Sequence, residues 1–100
     1  MELDYQNWGI CLIFISLGKF RKKPTKEMTT EVGRITQTMV KKEGAKIIGF
    51  YWTLGRYDTV VIMEAPDEKV AMKINLMVSD FVSTQTMVAI PREEAIKLVD

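Results

Sequence analysis

The chain has 100 residues, of which 47% are hydrophobic and 27% charged, with a formal net charge of +1. That length leaves no room for a second core, the apolar fraction excludes intrinsic disorder, and the charge balance excludes a global attraction to nucleic acid or anionic lipid. Histidine is absent and cysteine occurs once, at Cys11. The commonest general base and metal ligand are therefore missing, a zinc site of ordinary composition lacks donors, and no intramolecular disulfide can form. These features predict a soluble, cytoplasmic protein with no cofactor and no metal. Cys11, beside Ile10, Leu12 and Ile13, reads as a core residue.

The first predicted element is a strand over Gly9–Leu17, an apolar run rich in Ile and Phe and closed by Gly18. The wider run Trp8–Leu17 is too short to span a bilayer. Its acidic flank, Glu2 and Asp4, is wrong for a signal peptide. Lys19–Lys26 reads as a basic loop. Pro24 and Thr25 supply helix-start chemistry, after which Met28, Val32, Ile35, Met39 and Val40 form an apolar stripe. Lys41 and Lys42 suit the negative C-terminal end of this helix, and Gly44 terminates it. Gly33, inside the stripe, reads as a point of close packing.

A second strand is predicted over Lys46–Leu54 and a third over Tyr57–Ala65, joined through Gly55-Arg56 as a two-residue type II′ hairpin loop. Pro66 stops the third strand. Asp67 caps a second helix over about Glu68–Ser79, with Val70, Ile74 and Met77 as its stripe and Ala71 and Val78 beside it. A fourth strand covers about Val82–Ile90, ends at Pro91, and leaves a tail, Arg92–Asp100, that suits a short helix. The order β-α-β-β-α-β predicts a ferredoxin-like α+β sandwich with a four-stranded antiparallel sheet. Residues 1–100 form one domain in this reading, with a core over about 8–91 and a tail over 92–100. Right-handed crossovers place the first and third strands in the middle. The polar fourth strand, with Ser83, Thr84, Gln85 and Thr86, fits an edge.

The hairpin register puts Ile48, Phe50, Trp52, Leu54, Tyr57, Thr59, Val61 and Met63 on one sheet face. It puts Ile47, Gly49, Tyr51, Thr53, Asp58, Val60, Ile62 and Glu64 on the other. Both faces are substantially apolar, yet two helices cover only one. The Trp52 face is expected to pack on the helices, and the Asp58 face to meet a second copy. Two sheets meeting in this way would make a dimeric α+β barrel, so the expected partner is the chain itself, as a homodimer or higher oligomer.

The stretch Gly49-Phe50-Tyr51-Trp52-Thr53-Leu54-Gly55-Arg56-Tyr57-Asp58, followed by Val60-Val61-Ile62-Met63-Glu64-Ala65-Pro66-Asp67, resembles the GYD domain family. A weaker, compatible likeness runs from the first strand through the fourth. The resemblance implies a small dimeric α+β barrel protein and carries no assigned activity. The basic loop Lys19–Lys26 and the length of the first helix depart from the family pattern.

No catalytic set can be assigned. The candidate ligand-binding residues are Tyr51, Thr53, Arg56, Tyr57 and Asp58 at the hairpin. There a buried Asp58 would serve as a general base, Tyr51 would orient a carbonyl or phenol, and Arg56 would pair with a carboxylate. The plainer reading has Asp58 bonding hairpin amides or Arg56, and both tyrosines packing. Glu64 lies roughly 20 Å along the strand from Asp58 at about 3.4 Å per residue, which excludes joint acid–base work within one subunit. Glu64 reads as an exposed or interface charge. The basic segment Lys19, Arg21, Lys22, Lys23 and Lys26, with Phe20 interleaved, has the character of a phosphate or single-strand grip. It lacks any accompanying nucleic-acid motif, and neither a nucleic acid nor a membrane is expected as a partner. The methionines read as core. Three functions remain: a small-molecule-binding oligomer with a pocket by the sheet, a cofactor-independent enzyme acting on a small aromatic or carbonyl compound, and a structural or interaction subunit with no ligand. The enzyme reading rests on fold analogy.

Overall fold

The computed structural model describes residues 11–99. Its elements are β1 (Leu12–Phe20), α1 (Lys26–Glu43), β2 (Lys46–Trp52), β3 (Thr59–Ala65), α2 (Glu68–Met77), β4 (Val82–Ala89) and α3 (Arg92–Ala95), the last running into a 3₁₀ turn at Ile96–Leu98. The four strands form one antiparallel sheet in the order β2-β3-β1-β4, so the first and third strands are central. This is the ferredoxin-like α+β arrangement. No helix among the described residues is long and apolar enough to cross a membrane.

Local chemistry explains the helix limits. Thr25 Oγ1 accepts from the Met28 amide at 3.1 Å, and Gly44 closes α1 at φ 75° with its N–H on the Val40 carbonyl. A left-handed C-cap of this kind favours glycine. Asp67 Oδ1 accepts from the Val70 amide at 3.0 Å and starts α2. Glu43 of α1 reaches Lys73 of α2 at 3.1 Å, linking the two helices.

Several expectations are corrected. β1 begins at Leu12 and runs to Phe20, because Lys19 and Phe20 pair with Ser83 and Val82 of β4 instead of entering a loop. Gly9 and Ile10 of the expected strand lie outside the described residues. Cys11 is half-buried rather than core. The expected pairs Trp52–Thr59, Tyr51–Val60 and Phe50–Val61 are present. The ladder stops there, however, and Thr53–Asp58 forms a longer connection in which the Thr53 amide bonds the Asp58 carbonyl at 2.8 Å. Gly55 does take a positive φ of 104°. A register shift between Ile47 and Gly49 inserts Ile48 as a bulge, so that Ile47 pairs with Met63 and joins the core. Ile48 is exposed, the reverse of the regular alternation. Met77, expected in the stripe of α2, is exposed, whereas Val70, Ala71 and Ile74, with Val78 at the C-cap, are buried.

The covered face of the sheet carries Phe14, Ser16, Val61 and Met63 toward the helices. Its densest packing lies where β1 starts and β3 ends. There Phe14, Met39, Met63, Ala65, Val70, Ala71 and Ile74 form the buried core, flanked by Leu12, Ile35 and Ile47. Ile13, Ile15, Leu17, Val60, Ile62 and Met87 share the opposite face by strand alternation, away from the helices that cover the Phe14 face among the described residues.

Candidate functional site

None of the hairpin residues Tyr51, Thr53, Arg56, Tyr57 and Asp58 lines the cavity described below. Asp58 Oδ2 accepts the Phe20 amide at 2.9 Å, while the Asp58 amide donates to the Gly18 carbonyl at 2.7 Å. Asp58 thus continues the β1–β3 pairing by one step, with its side chain in place of a strand carbonyl. Thr53 Oγ1 donates to the Tyr57 carbonyl at 2.7 Å, and the Tyr57 hydroxyl reaches Gln85 of β4 at 2.6 Å. The Arg56 guanidinium lies 5.8 Å from the Tyr57 ring centre. Tyr51 lies against Gly49, where a Cβ would fall 2.7 Å from the phenol ring, so the glycine is the seat for that ring. Together these contacts latch the β2–β3 connection onto β1 and β4. Tyr57 reaches Gln85, which shares the uncovered face with Leu17 and Val60, although regular alternation had assigned Tyr57 to the Trp52 face.

Part of the basic segment is also committed to backbone. Lys19 Nζ donates to the Arg56 carbonyl at 2.9 Å, and Arg21 Nε donates to the Ser79 carbonyl at 2.6 Å. Phe20, the interleaved aromatic, points to the helix side and meets Trp52 edge-on, with ring centres 5.0 Å apart and an interplanar angle of 63°.

Beside that aromatic pair lies a cavity of about 350 Å³ between α1 and the sheet. Phe20, Phe50, Trp52 and Val61 form its sheet wall, and Met28, Val32 and Gly33 its α1 wall. Phe50 and Trp52 belong to edge strand β2 and remain 43% and 56% exposed although they face the helices, so the cavity opens on that edge. None of the described side chains lining it is charged. Its polar atoms come from Thr29, Thr36, Thr59, Thr84, Ser16 and Asn75. Ser16 and Asn75 both hydrogen-bond the Thr86 hydroxyl, at 2.7 and 2.6 Å. Thr36 and Thr59 are only 7% and 5% exposed, and among the described residues their hydroxyls have no hydrogen-bond partner.

Two glycines shape the space. A Cβ on Gly18 would fall 2.4 Å from Thr59 Oγ1 and 2.7 Å from a Val82 methyl, so Gly18 makes room for the threonine. Gly33 is the opposite case, and the close packing expected there is absent: a Cβ would meet no heavy atom within 4 Å. A mid-helix glycine costs about 1 kcal/mol relative to alanine, and nothing in the chain's own packing requires this one. Two buried hydroxyls, unpartnered among the described residues, and an unforced helix glycine thus border the same hollow.

The GYD domain model matches residues 13–99, nearly the whole chain. The chain belongs to the GYD domain family. Comparison with the curated proteins gives no match. Among solved structures, this GYD domain is similar to a protein of unknown function from Rhodopseudomonas palustris, at 15% identity and a TM-score of 0.55, over 81% of this chain and 82% of that one. It is also similar to an uncharacterized NIPSNAP-like domain protein from Burkholderia xenovorans, at 12% identity and a TM-score of 0.54, over 81% and 84%. The structure of MtbAldR matches at 12% identity and a TM-score of 0.53 over 79% of this chain; the chain spans about half of that protein, 51%. Identities this low support the fold alone.

Sequence reasoning about this GYD domain placed Phe50, Trp52, Thr59 and Val61 on the helix-covered face but found neither the cavity nor Thr36. One signal was available. Val32, Thr36 and Val40 recur every four residues, so Thr36 sits in line with the apolar stripe of α1. A hydroxyl at that position faces the sheet, and the small Gly33 beside it leaves space.

Proposed function

We propose that this GYD domain binds a small, uncharged, largely apolar molecule in the cavity between α1 and the sheet, and does so as a cytoplasmic homodimer. The observation that carries the binding role is the cavity itself. Its volume of about 350 Å³ lies in the range of ligand pockets. Its walls are mainly aliphatic and aromatic with a few fixed polar atoms, the usual composition of such sites. Acid–base turnover would need a proton-transferring group at the cavity, and among the described residues its polar lining is hydroxyls and an amide. That favours binding over catalysis.

The dimer is supported by the uncovered sheet face. Ile13, Ile15, Leu17, Val60, Ile62 and Met87 form one apolar surface, with Lys19 at one end and Glu64 at the other. A second copy supplies an equally apolar surface with opposite charges at its two ends, and a two-fold interface requires such self-complementarity. Sheet-on-sheet packing of this kind gives the dimeric α+β barrel.

Native mass spectrometry of protein purified from cells without denaturation tests both parts. A dimer carrying a discrete extra mass, lost in Gly33→Leu, supports the reading. A bare dimer that takes up no neutral apolar probe would favour the structural subunit, and conversion of a bound compound would favour the enzyme. A monomer at micromolar concentration would overturn the barrel.

A further inference from the structure

We propose that the molecule taken up by the cavity is a flat, neutral aromatic compound of about two fused rings carrying a hydroxyl or carbonyl group; this rests on the binding role assigned to the cavity above. Size is the first argument. A dry apolar cavity of roughly 150 Å³ holds benzene, and the space here is about 350 Å³. It is too large for one ring and suits two.

Shape is the second. On the sheet side stand the rings of Phe50 and Trp52; on the helix side Gly33 presents bare backbone, with no heavy atom within 4 Å of where its Cβ would be. Phe20 meets Trp52 at 63°, so the indole is held from one side while over half its surface stays exposed. Aromatic rings attract one another in offset and edge-on arrangements beyond simple area burial. A planar ligand entering from the β2 edge would meet an aromatic wall on one side and a flat helix wall on the other.

Polarity is the third. The hydroxyls of Thr36 and Thr59 are buried, line the cavity and have no partner among the described residues. Each can donate or accept. A phenol or a carbonyl on the ligand satisfies one or both, whereas an alkyl chain would fill the volume and leave both unpaired. A carboxylate is disfavoured, because among the described residues no cationic side chain lines the cavity to pair with a buried anion.

Isothermal titration calorimetry with four probes tests this: 2-naphthol, 2-methylnaphthalene, 2-naphthoate and 1-decanol. 2-Naphthol is expected to bind about tenfold or more tightly than the other three, the ratio that one well-placed hydrogen bond supplies. Thr36→Val and Thr59→Val keep side-chain shape. At least one should bring 2-naphthol to within about twofold of 2-methylnaphthalene while leaving the latter's affinity unchanged. Gly33→Ala should weaken both while its circular dichroism stays native, which separates loss of the slot from loss of the fold. Preferred binding of 1-decanol would overturn the aromatic class, and preferred binding of 2-naphthoate the neutral one, while either would keep the cavity as a binding site. If none of the four binds, and the native protein carries no extra mass, both the class and the binding role fall.

Discussion

The two ends of the helix–sheet interface are built differently. Where β1 begins and β3 ends, Phe14, Met63, Ala65 and Ala71 are buried at 3% exposure or less, and α2 lies close against the sheet. Where β1 ends and β3 begins, Phe50 and Trp52 on the same covered face are half exposed, and α1 stands over a hollow. The composition of the two ends explains part of this. The tight end uses alanines that let elements approach and aliphatic or aromatic groups that fill what remains. The hollow end combines three large rings with a glycine and threonines on the facing helix, a pairing that does not interdigitate. One end holds the molecule together, and the other keeps space.

The contrast can be broken by substitution. Phe14→Ala should cost about 3–5 kcal/mol, because a buried ring leaves a cavity that the tight end cannot close, and the chemical denaturation midpoint would fall sharply. Trp52→Ala, although it removes a larger side chain, should cost about 1 kcal/mol or less, since much of the indole is already in water. Equal losses in the two variants would show that the hollow end is as tightly built as the other. Gly18→Ala should cost about 1–3 kcal/mol, because the added methyl collides with Thr59 Oγ1 and Val82. Gly33→Ala should raise stability by about 0.5–1 kcal/mol, because the helix gains propensity and the methyl enters open space; a lower melting temperature would mean that the glycine is needed for packing.

The smallest effect should come from the exposed pair Glu31–Arg34 on α1, whose nitrogen and oxygen lie 2.7 Å apart. The hydrogen bond from Arg34 holds the Glu31 carboxyl below the usual carboxylate range. With the folded value depressed, any contribution is present above the unfolded pKa and is lost as pH falls through the folded one. Both groups are solvated and screened, so Glu31→Gln should leave the acid limb of the stability profile almost unchanged.

Much of the fold was legible because local signals and the global pattern agreed. Thr25, Gly44 and Asp67 marked helix ends through cap chemistry, and the alternation in β3 set its two faces. What was not legible depended on counting across strands. Ile48 looks like any other apolar strand residue, and only the shift against β3 shows that it is an extra one. The site escaped for a related reason. Asp58 and Tyr57 have the chemistry of a binding cluster, but the groups they satisfy, the Phe20 amide, the Gly18 carbonyl and the Gln85 side chain, are distant in sequence. The cavity is made of residues unremarkable one by one, and an empty volume leaves no motif.

The bulge at Ile48 has a consequence for the chain's behaviour in company. Strand β2 reads Lys-Ile-Ile-Gly-Phe-Tyr-Trp, lies at the sheet edge and contains neither proline nor an acidic residue. Such a segment, if flat, is a template for fibril growth. The extra residue puts a step midway along this edge, so an incoming strand cannot pair along its full length without losing register. The irregularity that brings Ile47 into the core thus also guards this apolar edge against strand addition.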